Sequence, residues 1–377
     1  MARERAGALT LWEKFPLRTG VTWLNVFLLA VPAAFVLHFM HASPIVIFVV
    51  AAAGIIPLAG VLGEATENLA DRIGPTLGGI LNATMGNATE LIIAFFALRA
   101  GHIEVVKASL SGSIIGNLLL VLGLSLLVGG LRHQRQTFSR TAVSTNSTML
   151  FIAVVALIMP AVFDLAMFGN LQQNPRIEEL SLATSAVLIV IYLVSFIFML
   201  KTHKSLFHIS HTDPEAKPQH HRNGASSMRA VLGLVLATIL IGFLSEMLVS
   251  EIDAITKSLG LTEVFVGVII VAIIGNAAEH STAIFVARRN EMDLAMTIAV
   301  GSSTQIALFV APVLVFLSVL VGNPMSLVFT GLEIASIVLS VLIVEMICYD
   351  GETNWFEGAQ LLAVYIILAV SFYFVPA

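Results

Sequence analysis

The chain has 377 residues, of which 58% are hydrophobic and only 11% are charged, and its mean hydropathy is +0.95. Soluble domains carry about 25% charged residues, so this composition excludes an ordinary soluble protein. The net charge is −5, we expect no nucleic-acid partner, and the single Cys348 excludes an intramolecular disulfide and a cysteine-based metal site.

Apolar stretches of about 20 residues follow one another along nearly the whole chain, as in polytopic helical membrane proteins. We predict an all-α polytopic membrane protein with about eleven transmembrane helices. The first begins near Val21 behind four basic residues, and its length and the spans that follow indicate a retained helix rather than a signal peptide. The predicted spans lie near 21–40, 43–63, 76–100, 104–129, 143–164, 182–200, 229–249, 262–287, 293–321, 326–347 and 357–375.

The longest polar stretch, residues 201–228, divides the chain into two halves. We interpret residues 1–42 as a tail with an extra helix, 43–200 as a first five-helix repeat, and 229–377 as a second one. The stretch between them is predicted to be a cytoplasmic linker. Its histidines form either a solvated loop, our preferred interpretation, or a weak transition-metal site; they are His203, His208, His211, His220 and His221.

The distribution of basic residues predicts the orientation. If the N-terminus is cytoplasmic and the spans alternate, 15 of the 19 Lys and Arg residues fall in cytoplasmic segments. This bias agrees with the positive-inside rule and supports both the span count and the orientation. Because each half has an odd number of spans, the two halves are predicted to be inverted relative to each other.

The two halves share a short motif, GNATEL from Gly86 and GNAAEH from Gly275. An ungapped alignment of 86–123 with 275–312 gives 11 identities in 38 positions. Inverted repeats are typical of secondary transporters, whose substrate site lies where the repeats meet. The polar and glycine matches are Gly86/Gly275, Asn87/Asn276, Glu90/Glu279, Arg99/Arg288, Gly112/Gly301 and Ser113/Ser302.

Asn followed three residues later by Glu resembles a capping box, and the preceding glycine permits a break. Each motif is therefore expected to mark a helix interrupted near the middle of the membrane. One interpretation is that these residues only cap a broken helix. A carboxylate deep in a span costs several kcal/mol, however, and two in related positions favour a functional site.

Two ionised carboxylates in a medium of low dielectric repel each other, and either two protons or one divalent cation would neutralise them. Calcium prefers six to eight oxygen ligands. The absence of cysteine in the spans that carry the motifs disfavours zinc and copper as cargo. The predicted site consists of Glu90 and Glu279 with neutral oxygens from Asn87, Asn276, Ser113, Ser302, Ser303 and Gln305.

The segments GNATELI, SLSGSIIGNLLLVLG, GNAAEHSTAIFVA and AVGSSTQIALFVAPVLVF resemble the two α-repeats of calcium/cation antiporters, specifically the Ca²⁺/H⁺ exchanger (CAX) branch. The resemblance implies that Glu90 and Glu279 bind Ca²⁺ and protons in turn. It also implies that access alternates as the first two long helices of each half slide or tilt. No resident cofactor is expected; the partners are Ca²⁺, protons and the lipid bilayer.

The chain departs from the sodium/calcium exchanger branch of this family at the motif. That branch typically has proline before the repeat glutamate and an aspartate in the partner helix. Here Thr89 and Ala278 precede the glutamates, and the partner helices carry Asn117 and Gln305. Fewer acidic oxygens for Na⁺ favour coupling to protons. The linker also lacks the acidic segment of some family members, so no regulation by such a segment is carried over.

Three further residues are candidates for secondary roles. Glu64 and Glu246 lie near the end of the first span of each repeat, on opposite predicted sides of the membrane. Each is either part of an ion-entry path or an ordinary acid at the membrane interface. His280 follows the second glutamate, and it either biases protonation there or packs as a hydrogen-bonded side chain.

The leading prediction is thus a secondary antiporter that exchanges Ca²⁺ for H⁺ by alternating access, and not an enzyme. The alternatives are a Na⁺/Ca²⁺ or Mn²⁺/H⁺ exchanger, then an intramembrane hydrolase or a passive cation channel. We expect an integral protein of a prokaryotic inner membrane with a cytoplasmic N-terminus, or of an acidic organelle in a eukaryote. The sequence leaves the oligomeric state open.

Overall fold

The computed structural model describes residues 24–168, 175–202 and 227–376. The amino-terminal tail and the five histidines of the predicted linker lie outside the described residues. The described part is almost entirely helical, as predicted. Its helices are α1 (Ala30–Phe39), α2 (Pro44–Ile73), α3 (Pro75–Met85), α4 (Ala88–Ala100), α5 (Ile103–Gly130), α6 (Arg140–Phe168), α7 (Pro175–Ile197), α8 (Ser227–Ser250), α9 (Ile252–Leu259), α10 (Glu263–Arg288), α11 (Met292–Val321), α12 (Gly331–Ile347) and α13 (Trp355–Tyr373).

Among the described residues, helices lie in each of the eleven predicted spans, but the count of eleven membrane crossings is not confirmed. Within the described ranges, eight helices are long and apolar enough to cross a membrane, or nine if α3 and α4 form one bent span. The first predicted span has a 3-10 helical segment, Leu24–Leu29, followed by the ten-residue α1, and α12 has only 17 residues. The protein is an integral membrane protein.

Two sets of five elements repeat along the chain. The series α2, α3 with α4, α5, α6 and α7 corresponds to α8, α10, α11, α12 and α13, while α1 precedes the first set and the short α9 lies inside the second. The first helices of the two sets, α2 and α8, pack along each other, and α10 packs against α2, α4 and α5. The two halves therefore share one core rather than forming separate domains.

A two-stranded antiparallel sheet marks one side of the molecule. Strand β1 (Gln136–Thr137) follows α5 and pairs with β2 (Glu352–Thr353), which precedes α13. Arg135 donates hydrogen bonds to the Glu352 carboxylate, which raises the pKa of this arginine above its usual value. The helical run that includes α7 ends at residue 202, and α8 begins at residue 227. Because successive spans alternate in direction, both of these ends of the predicted linker fall on this same side, which we call the linker face. The other side, with the turns after α4 and α11, is the opposite face.

Helix ends are fixed by local sequence. Gly101, Gly260 and Gly322 follow α4, α9 and α11 with positive φ, a conformation that favours glycine at a helix C-terminus. Thr330 begins α12 with a capping box, in which its side chain accepts from the Glu333 N–H and the Glu333 carboxylate accepts from the Thr330 N–H. These ends set where each helix turns back across the membrane.

Glu333 is also a buried connection between the two halves, because its side chain is 1% exposed and reaches α5. Its Oε1 accepts from the Ser111 hydroxyl at 2.7 Å, and its Oε2 accepts from the Thr330 hydroxyl at 2.8 Å. All of these donors belong to neutral groups. The carboxylate is therefore satisfied by hydrogen bonds within the protein.

We predict that Glu333→Ala lowers the free energy of unfolding by about 2–4 kcal/mol, since it leaves buried donors without acceptors. The measurement is the midpoint of thermal unfolding in detergent. The control is Glu345→Ala in the same helix, where the side chain is exposed and no large effect is expected. Equal losses in the two variants would contradict the structural role of Glu333.

Apart from Phe198–Thr202, which continues α7, three of the long helices in the described ranges contain an internal π-helical segment, which adds a residue to one turn. These segments are Gly116–Val121 in α5, Val266–Val271 in α10 and Ile306–Val310 in α11. The first and third lie at almost equivalent positions of the two repeats. Such segments are frequent at functional sites.

Candidate cation-binding site

The first motif interrupts its helix, as predicted. The helix α3 ends at Met85, α4 starts at Ala88, and their axes differ by 45°. The capping-box interpretation is wrong, however, because the Asn87 side chain makes no capping hydrogen bond. That side chain turns toward the other repeat instead.

The second motif does not interrupt its helix, so the prediction of two broken helices is wrong for this half. Gly275 and Asn276 lie within the continuous segment Ala272–Arg288 of α10. The Asn276 amide donates to the main-chain oxygen of Ala272 one turn earlier, at 2.9 Å. Glycine permits a break, but the surrounding helix supplies all the hydrogen bonds needed to continue through it.

A network of amides and hydroxyls joins the two repeats. Asn87 donates to Gln305 Oε1 at 2.6 Å and accepts from the Ser302 hydroxyl at 3.1 Å. In the other half, Asn276 donates to the Ser113 hydroxyl at 2.9 Å. The asparagine of each motif therefore bonds the serine of the opposite repeat.

Asn117 closes this network from α5, one residue into its π-helical segment. Its amide donates to Asn276 Oδ1 at 3.3 Å and to Ser302 Oγ at 3.2 Å. The three asparagine side chains, Asn87, Asn117 and Asn276, are each 1% exposed. A buried network with its members paired holds its geometry firmly, so these residues form a rigid frame.

Within this frame, the glutamate of each repeat lies beside the motif glycine of the other repeat. A Cβ built at Gly275 would lie 3.1 Å from Glu90 Cγ and 3.8 Å from Glu90 Oε1. A Cβ built at Gly86 would lie 3.8 Å from Glu279 Oε1. Each carboxylate thus lies beside the glycine of the other repeat, and at Gly275 the absence of a side chain allows the close approach of Glu90.

Both glutamates keep one oxygen without a hydrogen bond. The Oε2 atoms of Glu90 and Glu279 are buried and accept no hydrogen bond from the described residues. A buried polar atom without a partner requires an explanation, such as a bound ion or a proton. Two such carboxylate oxygens beside amide and hydroxyl oxygens offer hard ligands, which suit a divalent cation such as Ca²⁺. The same oxygens also accept protons.

A cavity of about 510 Å³ reaches this frame from the linker face. At its inner end lie Gly86, Gly275, Glu279, Ser302 and Gln305. Its wall continues along α2, α10 and α11 to exposed residues, which are Gly63, Glu67, Thr282, Phe285 and Thr297. An ion can therefore approach Glu279 from this side.

The opposite face is closed by glycine packing between α5 and α10. A Cβ at Gly112 would lie 2.6 Å from the carbonyl carbon of Val268, and one at Gly267 would lie 2.8 Å from the main-chain oxygen of Val105. No side chain fits at either position. The backbones of the two helices are thus in direct contact, and no path to the glutamates passes between them.

On the linker face the equivalent contact between α3 and α11 is absent, so the two repeats differ in how these helices pack. Gly301, which corresponds to Gly112, has no described atom within 4 Å of a built Cβ. Gly78, which corresponds to Gly267, packs against Ala70 of α2 rather than against α11. A second cavity of about 200 Å³ lies between Gly79 and Gly301. The structure is open toward the linker face.

The other predicted residues, Ser303, Glu64, Glu246 and His280, do not all lie at the glutamate pair. The Ser303 hydroxyl bonds the main-chain oxygen of Ala299 at 2.9 Å, and this residue is not part of the cavity wall. Glu64 lines the cavity, whereas Glu246 lies at the opposite face, 4.0 Å from Arg99. His280 Nε2 is buried and makes no hydrogen bond with the described residues, so its predicted hydrogen-bonded packing is not seen for that atom.

Sequence reasoning missed the cavity wall between Glu64 and the site. Glu67, Thr282 and Thr297 are among the residues that line it. Glu64 and Glu67 are three residues apart, which places them on one face of α2, and Thr282 follows Glu279 by the same spacing. Helical spacing from the already identified acids was therefore the signal that could have found Glu67 and Thr282.

We predict that Gly275→Ala weakens Ca²⁺ binding several-fold, because the added methyl group would displace the Glu90 side chain. Equilibrium binding of ⁴⁵Ca²⁺ to purified protein measures this effect. The control is Gly242→Ala in α8, where a built Cβ makes only ordinary contact with Phe96 at 3.6 Å. Unchanged affinity in Gly275→Ala would contradict the placement of Glu90.

Comparison with known proteins identifies the fold and its relatives. The family model described as sodium/calcium exchanger protein matches residues 43–201 and 229–374. The chain belongs to the sodium/calcium exchanger family. It is 44% identical to the Ca(2+)/H(+) antiporter of Aphanothece halophytica, over 93% of this chain and 95% of that protein. It is 45% identical to the Ca(2+)/H(+) antiporter ChaA of Bacillus subtilis (strain 168), over 91% and 96%.

Solved structures agree with this family membership. The native YfkE structure is 41% identical, with a TM-score of 0.79, over 93% of this chain and 99% of that one. The H+/Ca2+ exchanger CAX structure has a TM-score of 0.69 at 13% identity, which shows the shared fold alone. The resemblance to the Ca²⁺/H⁺ antiporter branch is thus confirmed.

Proposed function

We propose that this protein is a secondary antiporter that exchanges Ca²⁺ for H⁺ across a membrane. The observation that carries the proposal is the reciprocal pair Glu90 and Glu279, each against the other repeat's glycine and each with one buried oxygen lacking a hydrogen bond. One Ca²⁺ or two protons neutralise this pair. Because both occupants need the same oxygens, binding of one excludes the other, and this exclusion couples their movements.

The neutral frame around the pair favours protons over Na⁺ as the coupling ion. Asn117 and Gln305 contribute neutral side-chain amides to the frame, and these amides form hydrogen bonds with other amides and hydroxyls. The pair is thus the only source of negative charge among the residues of this frame that the structure describes. Several Na⁺ ions would require more acidic oxygens, whereas protons bind directly to the two carboxylates.

Transport requires that the pair face each side of the membrane in turn. In this structure Glu279 of the pair is reached from the linker face, which the basic residues predict to be cytoplasmic. The inverted repeats supply the other state, since exchanging the conformations of α3 and the first half of α10 would close the linker face and open the opposite one. We propose that proton influx in this cycle drives Ca²⁺ out of the cytoplasm.

The proposal is tested with purified protein in liposomes loaded with ⁴⁵Ca²⁺-free buffer at a pH different from the outside. We expect ⁴⁵Ca²⁺ uptake that follows the pH gradient, collapses with a protonophore and ignores a Na⁺ gradient. Uptake driven by Na⁺ would contradict proton coupling and favour a Na⁺/Ca²⁺ exchanger. Uptake independent of both gradients would indicate a channel, and competition by Mn²⁺ would measure selectivity.

We further propose that Glu64 is part of the ion-entry path at the linker face. Glu64→Gln is expected to raise the KM for Ca²⁺ about two- to five-fold, because it removes a carboxylate that attracts cations into the cavity. The effect should shrink as ionic strength rises. The control is Glu345→Gln, an exposed acid outside the cavity. A Glu64→Gln effect on the maximal rate alone would contradict an entry role.

A further inference from the structure

A second group of metal-ligating side chains lies at the opposite face, away from the glutamate pair. It consists of His102 between α4 and α5, Asp253 in α9 and Glu263 at the start of α10. One ligand atom from each lies within 4.8 Å of the other two. His102 Nδ1 and Glu263 Oε1 are 3.7 Å apart. We call these three residues the His102 cluster.

We propose that the His102 cluster binds a first-row transition-metal dication such as Zn²⁺, and that the bound metal holds the opposite face closed. One imidazole and two carboxylates form a ligand set that suits zinc. Bond lengths of about 2.0–2.1 Å in a tetrahedral site separate neighbouring ligand atoms by about 3.3 Å. The observed 3.7 Å between His102 and Glu263 requires only a small adjustment.

The backbone positions the ligands from well-defined helix ends. His102 follows Gly101, whose positive φ ends α4, and it directly precedes the first residue of α5. Glu263 follows Thr262, which caps the start of α10 by accepting from the N–H of Phe265. The His102 side chain is 16% exposed and that of Glu263 is 37% exposed. Asp253 is exposed, which leaves room for solvent or a further ligand.

The ligands come from different repeats, so a bound metal would hold the two repeats together at the opposite face. His102 belongs to the first half, while the two acids belong to the second half. Close by, the backbones of α5 and α10 meet at Gly112 and Gly267. Opening the opposite face requires these helices to separate, and a metal at the His102 cluster would join them. This regulatory effect rests on the alternating access of the proposed function, whereas the binding itself does not.

Binding is tested on the full chain in detergent, by titration with Zn²⁺ alone. We expect the wild-type protein to bind one more Zn²⁺ ion with high affinity than His102→Ala or Asp253→Asn. The control His38→Ala removes an exposed histidine of α1 and should behave as wild type. Any contribution of the linker histidines is common to all these proteins and cancels in the difference.

The variant Glu279→Gln separates this cluster from the transport site. If Glu279→Gln keeps the extra Zn²⁺ ion, the metal is bound elsewhere than at the glutamate pair, as proposed. If the ion is lost in Glu279→Gln and kept in His102→Ala, the proposal is overturned. Equal binding by wild type, His102→Ala and Asp253→Asn would overturn it as well.

Regulation is tested in liposomes, with Zn²⁺ added only at the face that does not carry the linker. We expect inhibition of ⁴⁵Ca²⁺ uptake at an at least ten-fold lower Zn²⁺ concentration for wild type than for His102→Ala. Equal inhibition would overturn the regulatory part. If the wild type shows no exchange at all while the difference in Zn²⁺ binding remains, the proposed function fails and the metal site stands.

Discussion

Glu90→Gln and Glu279→Gln are each expected to abolish Ca²⁺ uptake driven by a pH gradient, with a loss of at least 100-fold. Each change removes one of the two charges that neutralise the divalent cation and one of the two groups that carry protons back. The amide keeps the size of the side chain, so the frame of asparagines and serines should persist. Uptake of ⁴⁵Ca²⁺ into liposomes is the measurement.

The matched control for the two glutamates is Glu345→Gln, which makes the same chemical change at an exposed position of α12. It should transport as wild type. Thermal unfolding of all three variants shows whether they remain folded. If either buried variant keeps gradient-driven uptake, the paired mechanism is wrong, and the remaining glutamate alone would have to account for coupling.

Gly112→Ala and Gly301→Ala are expected to differ sharply in this conformation, although the two glycines are equivalent in the repeats. A methyl group at Gly112 would overlap the backbone of Val268, so α5 and α10 must separate. We expect a clear loss of thermal stability for Gly112→Ala. The same group at Gly301 meets open space, and no loss of stability of the linker-open state is expected.

Transport should nevertheless fail in Gly301→Ala if the cycle passes through the inverted state. In that state α3 would approach α11 as α10 now approaches α5, and a side chain at Gly301 would prevent the contact. We therefore expect near-normal stability with at least a ten-fold slower rate of ⁴⁵Ca²⁺ uptake. A stable variant with wild-type uptake would show that the two faces do not close by equivalent contacts.

The sequence predicted the helical membrane fold and the helix positions, and most of the predicted site residues lie close together, with Ser303 outside the cavity wall. The reason is that burial in lipid requires long apolar helices, and the positions of the two GNxxE motifs stand out against that background. Asn87, Asn276, Ser113 and Ser302 do meet, and the pairing is crosswise between repeats. The roles of the site residues in transport remain predictions.

The local conformation of the motifs could not be predicted from the motifs themselves. The same letters, GN followed by Glu, bend the chain at Gly86 and run through a straight helix at Gly275. The difference arises from packing, because Gly78 rests on α2 while Gly267 rests on α5. A chain that alternates between two states must allow both conformations in each repeat, so its local sequence favours neither strongly.

The crosswise frame also sets a condition on how the polypeptide can be assembled. Each half contributes one carboxylate, one motif asparagine and one serine, and each asparagine is completed by the serine of the other half. A single half inserted in one orientation would therefore carry only part of a binding site. Two separately expressed halves could restore it only as a split protein whose pieces enter the membrane in opposite orientations.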